Sequence, residues 1–295
     1  MDFRLYDYSP ITARSQLEWP DGARVAVWIG LNVEHYEFGK PAISIGPQTA
    51  DLVPDPLNCG WRDYGPRVGI WNLMNVLDRH GIRASVLLNS DVCELYPQII
   101  EAGNERDWAW LAHGKNNSIL QTQMEIEEER TYLADVTETI ERHTGKRPRG
   151  WLGPALSESF NTPELLAELG FTYICDWCND DQPYPLRVEA GPMISVPYSI
   201  EVNDLPLFVT KGQTGPDFLQ VAVDQFDWLY EVGEHTGQVM AIALHPFLIG
   251  LPFRLRYLDR ALEHIASREG VWLTTSDEIA DWYLDRDLEG ATASD

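Results

Sequence analysis

The stretch Ala241-Ile242-Ala243-Leu244-His245-Pro246 decides how this chain is read. It is too short for a stable helix, and Pro246 cannot continue a hydrogen-bonded ladder, so it reads as a buried strand ending on an imidazole. The same event recurs upstream. Residues 24–31 run into Asn32-Val33-Glu34-His35, residues 84–88 into Asn89-Ser90-Asp91, and residues 107–112 into His113-Gly114. Apolar strands that each deliver a polar tip point to working groups gathered at one edge of a sheet.

Helical patterns fill the spaces between these strands. The spacing of Ile70, Leu73, Met74 and Leu77 predicts a helix from residue 66 to a stop at Gly81. Others are expected over 94–102, 122–144, 162–170 with Thr162 as N-cap and Pro163 after it, 218–234, 255–268, and 276–284 with Ser276 as N-cap. Further strands fall at 149–152, 173–175, 193–196 and 271–273. Residues 38–66 are rich in Gly and Pro without a period and too long for an ordinary connection, which suggests a functional lid or a subunit contact. With a leading arm over 1–23, a barrel over about 24–285 and a frayed tail over 286–295, the order gives seven or eight strands alternating with helices. No internal repeat or linker divides them, so the fold expected for 1–295 is a single-domain α/β protein, a distorted (β/α) barrel. Active groups of such barrels sit where strands end, so Glu34, Asn89, His113, Asp176 and His245 should converge.

Composition narrows the function. With 22 basic and 46 acidic residues the formal charge is −24, which repels nucleic acid and anionic membranes. No run of 18 apolar residues is present to span a bilayer. The opening Met1-Asp2-Phe3-Arg4-Leu5-Tyr6-Asp7 has neither a basic nor an apolar segment, so a cytoplasmic location is expected. Cys175 and Cys178 form a CxxC pair without a helix start or a second pair, and the four cysteines read as reduced thiols.

Two chemistries remain open for the strand tips. A hydrolytic zinc site needs three protein ligands and an open position, and Glu34 and His113 supply two; the position four beyond His113 is Asn117, a weak ligand. Without metal, Glu34 would act as general base, its pKa raised by a dry site, and His245 would protonate the leaving nitrogen. Asp180 and Asp181, beside Pro183-Tyr184, either bind donor groups of a substrate or form a turn. Arg149 orients a carboxylate or makes a rim salt bridge, and Glu125, Glu127, Glu128 and Glu129 read as a solvated helix face.

The blocks Asn32-Val33-Glu34-His35-Tyr36-Glu37-Phe38-Gly39, Ala112-His113-Gly114-Lys115-Asn116-Asn117-Ser118, Gly150-Trp151-Leu152-Gly153-Pro154, 176–184 and Leu244-His245-Pro246-Phe247-Leu248-Ile249-Gly250 resemble the polysaccharide deacetylase (NodB-homology) superfamily. They look most like its cytoplasmic branch of cofactor-independent allantoinases and cyclic imidases. The resemblance runs over roughly residues 20–285 and implies a distorted barrel that hydrolyses C–N bonds of amides or cyclic amides. In the metal-dependent members the first motif carries two aspartates and the second is His-x-x-x-His; here the matching residues are Asn32 and Glu34, then His113 and Asn117. The resemblance thus implies catalytic Glu34, His113 and His245, and substrate-binding Asn32, Asn89, Asn117, Trp151, Pro154, Asp176, Asp180 and Asp181. It implies no cofactor, or else zinc on Glu34, His113 and Asn117. A small-molecule substrate and a homotetramer or homodimer go with this reading. The alternatives are a zinc-dependent deacetylase of N-acetyl sugars and a binding protein that keeps the scaffold without the chemistry.

Overall fold

The computed structural model describes residues 5–40 and 42–292. Among these described residues nine strands form one sheet: β1 (Val25–Val33), β2 (Ala84–Leu88), β3 (Ala109–Ala112), β4 (Gly150–Trp151), β5 (Tyr173–Ile174), β6 (Tyr184–Pro185), β7 (Ile194–Ser195), β8 (Gln238–Leu244) and β9 (Val271–Thr274). Their order is β6-β7-β5-β4-β3-β2-β1-β8, with every neighbouring pair parallel except β6–β7. One flank of β1 is shared: Val25–Trp28 pair with β9 and Ile29–Val33 with β2. Irregular backbone spans the seam before β8, where Val239 N–H donates to Asp181 O at 2.8 Å and Ala243 N–H to Val202 O at 2.9 Å. A curled, mostly parallel sheet with helices outside is the distorted barrel expected of the sequence.

Side-chain alternation decides which residues reach the barrel interior. In β1, Ala26 and Trp28 join an inner cluster with Leu87, Leu111, Leu152, Tyr173, Ala241 and Ala243, whereas Val25, Val27, Ile29 and Leu31 pack outward beneath the helices. Both faces are buried, which is why these strands read as continuous apolar runs.

The helical ring departs from the expected bounds in places. The helices are α1 (Pro56–Tyr64), α2 (Ile70–Arg79), α3 (Ser90–Leu95), α4 (Pro97–Glu105), α5 (Ile126–Thr144), α6 (Thr162–Glu168), α7 (Gly215–Val232), α8 (Pro252–Ala266) and α9 (Ser276–Thr292). The long loop therefore ends at residue 55, because Asp55 accepts from Asn58 N–H and Pro56 occupies the first helical position. A π-helical turn, Gly65–Gly69, joins α1 to α2. Proline splits the segment expected as one helix at 94–102 into α3 and α4. Helix α9 continues to residue 292, through most of the stretch read as a frayed tail; residues 293–295 lie outside the described ones. Gly69 lets α2 press on the end of β8, since a Cβ there would stand 1.9 Å from Pro246 O. That contact locks the His-Pro turn against the helical ring.

Candidate active site

Parity carries the inward face of each strand onto its tip. Ala26 and Trp28 lead to Asn32 and Glu34, Leu87 to Asn89, Leu111 to His113, and Ala241 and Ala243 to His245. Glu34, His113 and His245 thus converge on a cavity of about 380 Å³ lined also by Asn32, Tyr36, Asn117, Leu152, Tyr198, Ile200 and Leu205. The three groups are nearly inaccessible to solvent, with side-chain exposures of 5%, 2% and 5%.

Glu34 is the hub. Its Oε1 accepts from Asn117 Nδ2 at 2.6 Å and lies 3.3 Å from His113 Nε2 and 3.8 Å from His245 Nε2; its Oε2 accepts from Tyr36 O–H at 2.9 Å. Burial alone would raise this carboxyl, but the charge of His245, the hydrogen bond and charge of His113 and the Tyr36 hydroxyl outweigh it and hold Glu34 at about 2. The raised-pKa base expected from the sequence is therefore replaced by a carboxylate ionised at every working pH. Tyr36 is driven the opposite way by burial and by Glu34, so it remains a neutral donor.

His245 is clamped by Asp204, a residue the sequence reading passed over. Asp204 Oδ1 accepts from His245 Nδ1 at 2.6 Å, while its Oδ2 accepts from the backbone N–H of His245 at 2.8 Å and of Ile249 at 3.2 Å. Burial lowers the imidazole pKa, yet the charges of Asp204 and Glu34 reverse that and raise it, favouring an imidazolium. Its Nε2–H faces Glu34 across a gap too long for a hydrogen bond. Asp204 opens a short helical turn that runs into the π-helical Pro206–Thr210, a segment too short to carry a periodicity that would mark it. Tyr36 and Tyr198 were likewise assigned no role; Tyr198 O–H accepts from Asn32 Nδ2 at 2.9 Å across the barrel.

The amides have fixed orientations. His35 N–H donates to Asn89 Oδ1 at 2.8 Å, which turns Asn89 Nδ2 toward His113 O and toward Asn117 Oδ1 at 3.0 Å. Asn117 must therefore present its NH₂ to Glu34. A zinc ion on Glu34, His113 and Asn117 would need a lone pair where this network supplies a donor, so the residues do not fit the metal the superfamily implies. Among the described residues no group of three or more His, Cys, Asp or Glu is arranged to hold a metal ion. His113 gives Nδ1–H to Leu152 O at 2.6 Å, leaving Nε2 directed at Glu34.

The other expected site residues lie elsewhere. Trp151 has outward parity and packs edge-on against Phe171 in the outer core. Pro154 packs under Gly114 and is not among the described residues lining the cavity. Asp176, one residue past inward Cys175, also turns outward; its Oδ1 accepts from Gly153 N–H at 2.7 Å. Asp180 and Asp181 sit at the opposite end of the barrel: Asp180 pairs with Arg14 of the leading arm at 2.7 Å, and Asp181 caps the start of β8 rather than its end. Arg149 makes the rim salt bridge, with Asp281.

A polysaccharide deacetylase family model matches residues 62–174. A Schizosaccharomyces pombe protein named as a polysaccharide deacetylase is 31% identical over 89% of this chain and 91% of its own. The Helicobacter pylori peptidoglycan deacetylase is 28% identical over 82% and 92%. In structure the chain is similar to a Pseudomonas aeruginosa protein described as a polysaccharide deacetylase, with TM-score 0.82, 27% identity and coverage of 91% and 93%. It is also similar to the PuuE allantoinase, with TM-score 0.79, 27% identity and coverage of 94% and 97%.

Proposed function

The chain belongs to the polysaccharide deacetylase family, hydrolases of amide bonds, and from that premise we propose that it cleaves a small amide, ureide or cyclic imide without a metal ion. The observation that carries this reading is the array Asp204, His245 and Glu34 facing a cavity of about 380 Å³. Among the described residues lining that cavity there is no Lys or Arg to hold a substrate carboxylate. Its other walls, Ile43, Leu152, Leu156, Ile200, Leu205 and Pro206, suit a compact, weakly polar body.

In this mechanism water sits against Glu34, whose Oε2 is held by the Tyr36 hydroxyl, and the substrate carbonyl lies toward His113. The water oxygen bonds to the carbonyl carbon and yields its proton to Glu34. As the C–N bond breaks, His245 Nε2 gives its proton to the departing nitrogen, with Asp204 holding the ring. The two transfers assist each other: Glu34 is a weak base while His245 is cationic, and it becomes stronger as that cation gives up its proton. A second reading, deacetylation of N-acetylated sugars, is favoured by the names of the Schizosaccharomyces pombe and Helicobacter pylori relatives. The test is turnover by metal-stripped protein on hydantoin, succinimide, dihydrouracil, allantoin and acetylated chitooligomers. Turnover of a ring amide that survives chelation supports the first reading; activity on the oligomers alone, restored by zinc, refutes it.

A further inference from the structure

A second cavity, of about 540 Å³, lies beyond the turn that walls the catalytic one, and Leu156 lines both. Two carboxyl groups, Glu158 and Asp176, face it together with Met124, Phe160 and Trp177. Glu158 Oε1 and Asp176 Oδ2 are buried; the two carboxyls hydrogen-bond to each other, Trp177 interacts with Glu158, and among the described residues no cation neutralises the pair. Among the described residues lining this cavity there is no Lys, Arg or His. Buried carboxyls without a cation are costly, and a chain of net charge −24 draws cations toward such a pocket. Aromatic walls add a face on which a cation or its alkyl chain can lie.

We infer that this cavity is a binding site for an aliphatic ammonium group, held by Glu158 and Asp176 with its carbon chain against Trp177, Met124 and Leu156. Nothing in the hydrolytic mechanism uses either carboxyl. Burial, with the charge of Glu129 added, outweighs the hydrogen bonds of Asp176 and Trp177 and pushes Glu158 up to about 7, and burial with the charge and hydrogen bond of Glu158 drives Asp176 up as well; two carboxyls share a proton in this way when no cation accompanies them. Asp176 also grips Gly153 N–H, and the turn between the cavities holds two consecutive residues in left-handed backbone, Ala155 at φ 58° and Leu156 at φ 54°. An occupant therefore sits one strained turn from Leu152, whose carbonyl orients His113. The ammonium belongs either to a free amine or to the far end of an extended amide substrate.

Titration calorimetry on the full chain at pH 8 and fixed ionic strength, with butylammonium chloride against butan-1-ol, tests the site without any turnover. Saturable binding of the ammonium at least tenfold tighter than the alcohol is expected. Glu158→Gln should weaken it tenfold or more, and so should Thr122→Lys, which puts a competing ammonium on the exposed rim of the cavity without touching its interior. Absence of binding, equal affinity for butan-1-ol, or unchanged affinity in folded Thr122→Lys overturns the inference. A kinetic arm, resting on the amide-hydrolase reading, compares N-(4-aminobutyl)acetamide with N-butylacetamide. A preference for the former that Thr122→Lys removes assigns the ammonium to the substrate; equal turnover alongside calorimetric binding assigns it to a free amine. Because calorimetry needs no catalysis, failure of the hydrolase reading leaves the binding result standing.

Discussion

Asp204→Asn isolates the contribution that the tertiary fold adds to His245. Asp204 accepts three hydrogen bonds, one from the imidazole on Oδ1 and two from backbone N–H groups on Oδ2. An asparagine oxygen can keep the backbone pair, and its NH₂ then opposes Nδ1–H, so the imidazole loses its anionic partner. Breaking a buried charged pair from one side costs about 3–5 kcal/mol. Burial, the largest influence on His245, then goes unopposed by Asp204, and its pKa should fall. In the wild type the fold favours imidazolium, so this group's contribution to stability is complete below 6.5 and is lost as pH rises through the raised His245 pKa. Asp204→Asn should remove that pH dependence. The assay is a proton–carbon NMR titration of the seven histidines, with His245 assigned from a His245→Gln sample, together with urea unfolding from pH 5 to 9. On any substrate found, kcat should fall roughly 100- to 10,000-fold, the range of a lost general acid. A His245 midpoint that does not fall in a folded Asp204→Asn protein would refute the reasoning.

Glu34→Gln should remove stability at neutral pH, because a carboxyl held at about 2 against an ordinary 4.5 contributes on the order of 3 kcal/mol above 4.5, lost as pH falls toward 2; acid unfolding of the pair checks it. Glu158→Gln should act in reverse: a carboxyl raised from 4.5 to about 7 weakens the fold progressively as pH climbs through 7, so the variant gains on the order of 3 kcal/mol at pH 8 and nothing at pH 4 by denaturant titration. Asn117→His exchanges the inward NH₂ for a ring nitrogen and should raise zinc affinity at least tenfold by dialysis and metal analysis, whereas Asn117→Ala should not. Gly69→Ala brings a methyl within 1.9 Å of Pro246 O and should cost about 1–3 kcal/mol in thermal unfolding while moving the His-Pro turn.

Much of the architecture was legible because a strand buried on both faces leaves a dense apolar signature, and a parallel barrel repeats it. The tips Glu34, His113 and His245 could be singled out for the same reason: each stands where an apolar run stops. Trp151 and Asp176 turn away from the catalytic cavity, and the signal for this lies in their position, since each has the opposite parity to an inward neighbour, Leu152 and Cys175. The short strands here, two residues in β4 and β5, carry too little alternation to show it.

From the sequence alone came the strand order in the chain, the family and the residues at the barrel mouth, all of which depend on local pattern. Tertiary structure decided the rest. Asp204 joins His245 across 41 positions of chain, the Asn89–Asn117 relay turns an expected ligand into a donor, and Asp180 and Asp181 fall at the wrong end of β8. The first and last of these depend on where backbone outside the strands crosses the seam of the barrel, and the relay on the loop that follows β3. Backbone without a repeating hydrogen-bond pattern imposes no period on its side chains, so its destination is set by packing and charge that exist only once the barrel has closed.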